Sequence, residues 1–308
     1  MWTRRAASIT LAAGLLTVPA AAAGAVPGVH PSTRANATKA MHGEAFAHAA
    51  YLAYAQQARR TGEARAEQVF RSAGEQELAD HFTAQAALIG FVGDNAANLR
   101  DAIAGEGYEA TTMYPSFARQ ARRDRCLAAA NLFSEIARYE ARHRDEYAMA
   151  LRAVTNPQSG TVIPTGESVP AVPVPAGTPR CGGKTLANLG TAMRGEAFAN
   201  AKYTLYANRA RASGQPRVAT LFDNAAHQEL NEHFAEEAAL AGLVRDNATN
   251  LRTAMAGERA EATTTYPGYA RQAAAVGDTA AARLFPEIAR DEARHARTFA
   301  RALRGLRR

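Results

Sequence analysis

Acidic side chains recur where helices of this sequence should be apolar. Glu44 stands three residues after Met41 and seven before Tyr51. Glu77 stands seven after Phe70 and seven before Ala84, and Glu140 seven after Phe133 and seven before Tyr147. At helical periodicity each carboxylate shares a face with its apolar neighbours and points inward. A lone buried carboxylate costs several kcal/mol or takes up a proton, so several at one level require cations to neutralise them. The spacing of the neighbours suits such cations. Glu106 and Glu109 lie at i and i+3, as do Glu140 and His143, while Glu77 is followed by Asp80 at i+3 and His81 one position later. Hard carboxylate oxygens with one or two imidazoles favour iron, with manganese possible, over zinc or copper.

The whole set occurs twice. Gly43-Glu44-Ala45-Phe46-Ala47 recurs as Gly195-Glu196-Ala197-Phe198-Ala199, Gln76-Glu77-Leu78 as Gln228-Glu229-Leu230, and Asp94-Asn95-Ala96 as Asp246-Asn247-Ala248. Tyr114-Pro115 recurs as Tyr266-Pro267, at the same offset of 152 residues that separates Glu44 from Glu196. A gapless offset over the whole unit marks duplication of a domain, not of a short motif. Between the copies, residues 156–184 hold Pro157, Pro164, Pro170, Pro173, Pro175 and Pro179. This stretch excludes a helix and predicts an extended, semi-rigid spacer.

Each copy reads as four helices, in the first copy at about 39–60, 63–89, 95–122 and 127–152 by apolar spacing. Thr61-Gly62 ends the first helix, Gly90 and Gly93 break the chain after the second, Asp94 or Asn95 caps the third, and Pro115 kinks it. The expected fold class is all-α, two tandem ferritin-like four-helix bundles. The expected divisions are a signal peptide at 1–25, a first di-iron domain at 38–153, a Pro-rich linker at 154–186 and a second di-iron domain at 187–308. One Glu from some helices with Glu-x-x-His from others is the di-iron constellation of such bundles.

With these residues in view, the chain resembles rubrerythrin over about residues 40–152 and 192–304. The resemblance rests on Gly43-Glu44, on Gly105-Glu106-x-x-Glu109 leading into Met113-Tyr114-Pro115-Ser116-Phe117-Ala118, and on Glu140-Ala141-Arg142-His143. It implies a non-haem di-iron protein that reduces hydrogen peroxide, with two irons per site. By position it implies ligands Glu44, Glu77, Glu106, Glu109, Glu140 and His143, and again Glu196, Glu229, Glu258, Glu261, Glu292 and His295. It also implies that Tyr51, Tyr114, Tyr203 and Tyr266 lie beside the metals. Two departures stand out. Where the family carries Glu-x-x-His on its second helix, this chain has Asp80 in one copy and Glu232 in the other, with His81 and His233 one residue later. Either the carboxylate replaces the imidazole, which is the reading preferred here, or a local bulge brings the histidine in. The family's rubredoxin-like tail with its CxxC pairs is missing from this sequence, so an external electron donor is expected.

The connector between the second and third helices is short for this fold, in which those helices run parallel. About 33 Å must be recrossed, from 11 residues of helix on either side at 1.5 Å each. Residues 89–94 span only about 20 Å when fully extended. The expectation is that helix hairpins are exchanged, either within the chain, which would group Glu44 and Glu77 with Glu258, Glu261, Glu292 and His295, or between chains in a homodimer.

The remaining composition excludes more than it assigns. The net charge of +7 is dispersed among alternating Arg and Glu, without the basic stripe and interleaved aromatics that nucleic acid requires. Met1-Trp2-Thr3-Arg4-Arg5 followed by an alanine-rich stretch to Ala23 and Ala25 reads as an export signal, an uncleaved membrane anchor being the alternative. Cys126 and Cys181, the two cysteines of the chain, are a possible disulfide in an exported protein. The functional readings are an exported peroxide-reducing di-iron enzyme, a ferroxidase or iron-handling protein that uses dioxygen, and a metal-free interaction bundle.

Overall fold

The computed structural model of the chain describes residues 28–306, and the expected signal segment lies outside the described residues. Among the described residues there are eight long helices and no strand. They are α1 (Pro31–Arg60), α2 (64–89), α3 (95–123), α4 (Leu127–Thr155), α5 (Gly183–Ala212), α6 (216–241), α7 (247–275) and α8 (Thr279–Arg304). Their ends follow local chemistry. The Asp94 carboxylate accepts from Ala97 N at 2.8 Å to start α3, and Asp246 accepts from Thr249 N at 2.9 Å to start α7. Gly90 and Gly242 close α2 and α6 in the left-handed region, at φ 59° and 62°.

Four helices are interrupted by a π-helical turn: Glu77–Phe82 in α2, Glu109–Met113 in α3, Glu229–Phe234 in α6 and Glu261–Thr265 in α7. A π turn admits one extra residue and rotates the remainder of the helix by about one position. In α3 and α7 it comes just before Tyr114-Pro115 and Tyr266-Pro267, so each proline falls where the regular ladder is already broken.

The hairpins are exchanged within the chain. α1 and α2 pack against α7 and α8 to form one bundle, and α3 and α4 pack against α5 and α6 to form the other. Both cores record it. Tyr51 and Phe70 of the first copy pack on Phe299 of the second, each ring 5.2 Å from it, with Tyr54 behind Phe70 at 5.3 Å. Their repeat equivalents Tyr203, Tyr206 and Phe222 surround Tyr147 of the first copy, at 5.4 Å from Tyr203 and 5.1 Å from Phe222. Alanines fill the remaining inward positions of α1, including Ala37, Ala45, Ala49 and Ala53, and let the helices approach closely. The two bundles meet along α1 and α5, where the His42 and Phe198 rings stack 3.8 Å apart.

The proline-rich connection is extended, as expected, but it is bound to the body of the protein instead of spacing two free domains. Val172 N donates to Asn231 O at 2.7 Å, Gly177 N to Val244 O at 2.9 Å and Arg180 N to Leu240 O at 2.9 Å, while Val174 is buried. A disulfide between Cys126 and Cys181, 55 residues apart, fixes its far end to the start of α4. Closing a loop of that length stabilises the fold by about 4 kcal/mol in the chain-entropy model.

Exchange makes each copy incomplete by itself. The first copy alone, residues 28–156, is expected to dimerise and regain both hairpin pairings between chains. Light scattering after size exclusion checks this; a folded monomer would contradict the exchanged pairing.

Candidate metal centres

Each bundle gathers a cluster of buried carboxylates and imidazoles at mid-height. In the first, α1 contributes Glu44, α2 Glu77 and His81, α7 Glu258, and α8 Glu292 and His295; all six are buried. His81 Nδ1 lies 2.7 Å from Glu77 Oε2 and 3.0 Å from Glu292 Oε1. His295 Nδ1 lies 3.0 Å from Glu77 Oε1 and 3.1 Å from Glu292 Oε2. The potential ligand atoms form two overlapping groups, Glu44, Glu77, His81 and Glu292, and Glu77, Glu258, Glu292 and His295, with all ligand atoms in a group within 4.8 Å of one another. Glu77 and Glu292 belong to both groups, the arrangement of two carboxylates bridging two cations. The second bundle repeats it with Glu106, Glu140, His143 and Glu229, and Glu140, Glu196, Glu229 and His233; here Glu140 and Glu229 are shared.

The donors fit a pair of hard cations. Glu77 Oε1, Glu292 Oε1, Glu258 Oε2, Glu106 Oε2, Glu140 Oε1 and both oxygens of Glu229 are buried with no partner beyond the imidazole nitrogens beside them. Such oxygens are normally satisfied, and a cation between them is the direct way to do so. Each histidine presents Nδ1 to the cluster. Outside it, His143 Nε2 lies 2.9 Å from Gln228 Oε1, and His295 Nε2 lies 3.1 Å from Gln76 Oε1. These outer contacts fix ring orientation and leave the inner nitrogen free to ligate.

The structure does not bring Asp80 and Glu232 into the ligand groups. Asp80 is exposed, and Glu232 lies outside both groups, its Oε1 accepting from Gln228 Nε2 at 3.0 Å. His81 and His233 stand four residues after Glu77 and Glu229 and share their faces, and π turns spanning Glu77–Phe82 and Glu229–Phe234 set the register there. Grouping ligands copy by copy is likewise replaced by the exchanged grouping. Glu109 and Glu261 stand beside the clusters, outside the four-residue groups. A Cβ on Gly43 would sit 3.5 Å from Glu261 Oε1, and one on Gly195 3.4 Å from Glu109 Oε1, which places each of these carboxylates against the helix turn that carries an inward Glu.

All four expected tyrosines reach the centres. Tyr51 donates to Glu258 and Tyr203 to Glu106. Tyr114 contacts both Glu196 and Glu237, the latter at 3.0 Å. Tyr266 accepts from Gln85 Nε2 at 2.9 Å, and that same nitrogen lies 3.4 Å from Glu44. The outer glutamines and the Gln85 and Glu237 positions did not emerge from the sequence, although Gln76 and Gln228 lie inside a repeated tripeptide.

The bare clusters store protons. Burial pushes up Glu44, reinforced by Glu292 and Glu77, and it raises Glu106 and Glu261 each to about 8. For Glu77, burial acts upward, but hydrogen bonds from His295 and His81 outweigh it and hold the group at about 2. Burial opposes the charge on His295, yet its contacts with Glu258, Glu292 and Glu77 raise it to about 12.

Two stretches of the chain, 35–151 and 187–303, match the family model described as Rubrerythrin. The chain is 37% identical over 131 residues to a rubrerythrin of Porphyromonas gingivalis, a match covering 38% of this chain and 65% of the relative. It is 34% identical over 131 residues to a rubrerythrin of Nitratidesulfovibrio vulgaris, covering 38% and 68%, and 32% identical over 130 residues to nigerythrin of the same organism, covering 38% and 64%. The aligned parts thus span about two thirds of these relatives. No solved structure is a significant match.

The geometry makes two outcomes testable. His81→Ala should weaken divalent-metal binding in its bundle by at least about tenfold, whereas Asp80→Asn should leave it unchanged; equilibrium metal titration separates them. Groups whose pKa is raised must give up protons to a metal, so binding should release protons and weaken as pH falls from 8 to 6. Calorimetry in buffers of different ionisation enthalpy counts the protons.

Proposed function

The chain belongs to the rubrerythrin family, and on that premise we propose that it is an exported non-haem di-iron oxidoreductase that reduces hydrogen peroxide to water at two centres. The observation that carries this reading is the sharing of two carboxylates between two ligand groups in each bundle, Glu77 and Glu292 in one and Glu140 and Glu229 in the other. When bound, two irons in each centre would supply the two electrons and the Lewis acidity that cleavage of the peroxide bond requires.

The chain's own residues have distinct parts in this reading. Glu44 with His81, and Glu258 with His295, are the end ligands of the first centre; Glu196 with His233, and Glu106 with His143, are those of the second. Glu261 and Glu109, beside the clusters, are reserve carboxylates that would add negative charge to the donor set of a bound metal pair. Tyr51, Tyr266, Tyr114 and Tyr203 hold hydroxyls beside the ligands, where they orient a small oxygen species and restrict its approach. The bundle cores exclude bulk water, which strengthens these interactions. Reduction of one peroxide consumes two electrons and two protons and yields two waters. Both cysteines of the chain lie in the disulfide, so neither offers a thiolate to an electron relay, and an external donor must re-reduce the centres. The disulfide also supports export, because such bonds persist in oxidising compartments.

The mature protein, residues 26–308, loaded anaerobically with ferrous iron, should hold about four irons, two in each bundle. Hydrogen peroxide should oxidise them faster than dioxygen; the reverse order would make the protein a ferroxidase, and an absence of bound iron would leave only an interaction bundle. Glu292→Ala removes a shared carboxylate from one bundle and should halve the iron content while leaving the other centre oxidisable by peroxide.

A further inference from the structure

The repeat makes most residues around the two centres identical, so the positions that differ stand out. Lys202 of α5 corresponds to Ala50 of α1, Asp101 of α3 to Thr253 of α7, and Glu237 of α6 to Gln85 of α2. All three polar substitutions fall on the bundle built from α3, α4, α5 and α6. Lys202 is 9% exposed, which is rare for a lysine unless it is paired. Its Nζ lies 3.1 Å from Asp101 Oδ2, which also accepts from the Tyr206 hydroxyl at 3.0 Å. The ammonium lies 4.9 Å from the centre of the Tyr203 ring.

The ion pair has a definite direction. Nζ lies against α3 at Gly105, where a Cβ would sit 3.6 Å from it. Gly105 is one turn from Asp101 on one side and one turn from Glu109 on the other, and it adjoins Glu106. The positive end of the pair therefore faces the metal ligands and the negative end faces away. Burial opposes the charge, but Asp101, Glu106 and Glu109 together outweigh it, and Lys202 stays protonated. The other bundle has no equivalent. Arg194, a cation that acts on Glu261 of that centre, is exposed, lies over the Phe46 ring at 4.2 Å and has no carboxylate within ion-pair distance among the described residues.

We propose that the two centres bind divalent metal unequally, and that the Lys202–Asp101 pair makes the α3–α6 centre the weaker, so that the α1/α2/α7/α8 centre fills first. A fixed ammonium beside Glu106 and Glu109 already supplies part of the positive charge that these carboxylates require. It also repels an incoming cation across a medium that screens poorly. The first centre has Ala50 and Thr253 at these positions and no buried ammonium in their place. This inference rests on the reading of both clusters as metal centres.

The test is a calorimetric titration of the metal-free full chain with Mn²⁺, which is not oxidised on the timescale of the measurement. Two ions should bind tightly and two more weakly, by at least about tenfold. Glu292→Ala should remove the tight class and Glu140→Ala the weak one, which assigns each class to its bundle. The double change Asp101→Thr with Lys202→Ala reproduces the residues of the first centre, leaves no charge unpaired, and should bring the weak class up to the tight one. Glu237→Gln should leave the order unchanged. A single class of four ions in the natural chain, a gap that survives the double change, or a gap removed by Glu237→Gln would each overturn the inference while leaving the metal centres intact. No binding of Mn²⁺ or ferrous iron would overturn the metal reading itself.

Discussion

The repulsion among buried carboxylates is the interaction that the rest of this structure answers. Five glutamates converge in one bundle and six, with Glu237, in the other, each with two imidazoles in a core closed to bulk water. Left bare, such a cluster keeps protons on Glu44, Glu106 and Glu261 and on its histidines, all of which are held above their ordinary values. A pair of divalent cations would replace those protons and satisfy oxygens left with imidazole contacts alone. The aromatic layers, the π turns and the outer glutamines are all arranged around that requirement. They keep the helices close, aim the imidazoles and prevent the carboxylates from swinging out to solvent.

The second constraint is chain length. A short connector after Gly90 cannot carry the chain back along a bundle, so α3 leaves in a direction that takes it into a different bundle from α2. Tandem duplication supplies the missing hairpins within the same molecule, and the disulfide between Cys126 and Cys181 holds the connection in place. The linker then has surface to follow, which explains why a stretch so rich in proline is pinned by backbone hydrogen bonds to α6 and to residues beyond it.

Much of this was legible in the sequence. The 152-residue repeat, the inward glutamates at seven-residue spacing from aromatics, and the arithmetic of residues 89–94 together give the all-α fold, most of the proposed ligands and the exchanged hairpins. The structure leaves Asp80 and Glu232 outside the ligand groups for a specific reason. His81 lies one residue, about 100° in a regular helix, beyond Asp80, the position where the resemblance expects a histidine, and the π turn at Glu77–Phe82 shifts that register. Nothing in Glu77-Leu78-Ala79-Asp80-His81 announces such a turn, because its cost is repaid by contacts from other helices. Lys202 was missed for a related reason. A lysine on an alanine-rich helix looks solvated until the exchanged partner, α3, is known to cover it.

The exchange has one more consequence. In a dimer of identical subunits every residue appears twice, related by symmetry, so a change at one active centre is imposed on the other. Here the two halves are encoded separately and joined covalently, yet each centre draws ligands from both. The molecule keeps the architecture of a symmetric dimer while its halves are free to mutate alone. Lys202, where the other repeat has Ala50, is a departure that symmetric partners could not have adopted, and it leaves the two centres with different surroundings.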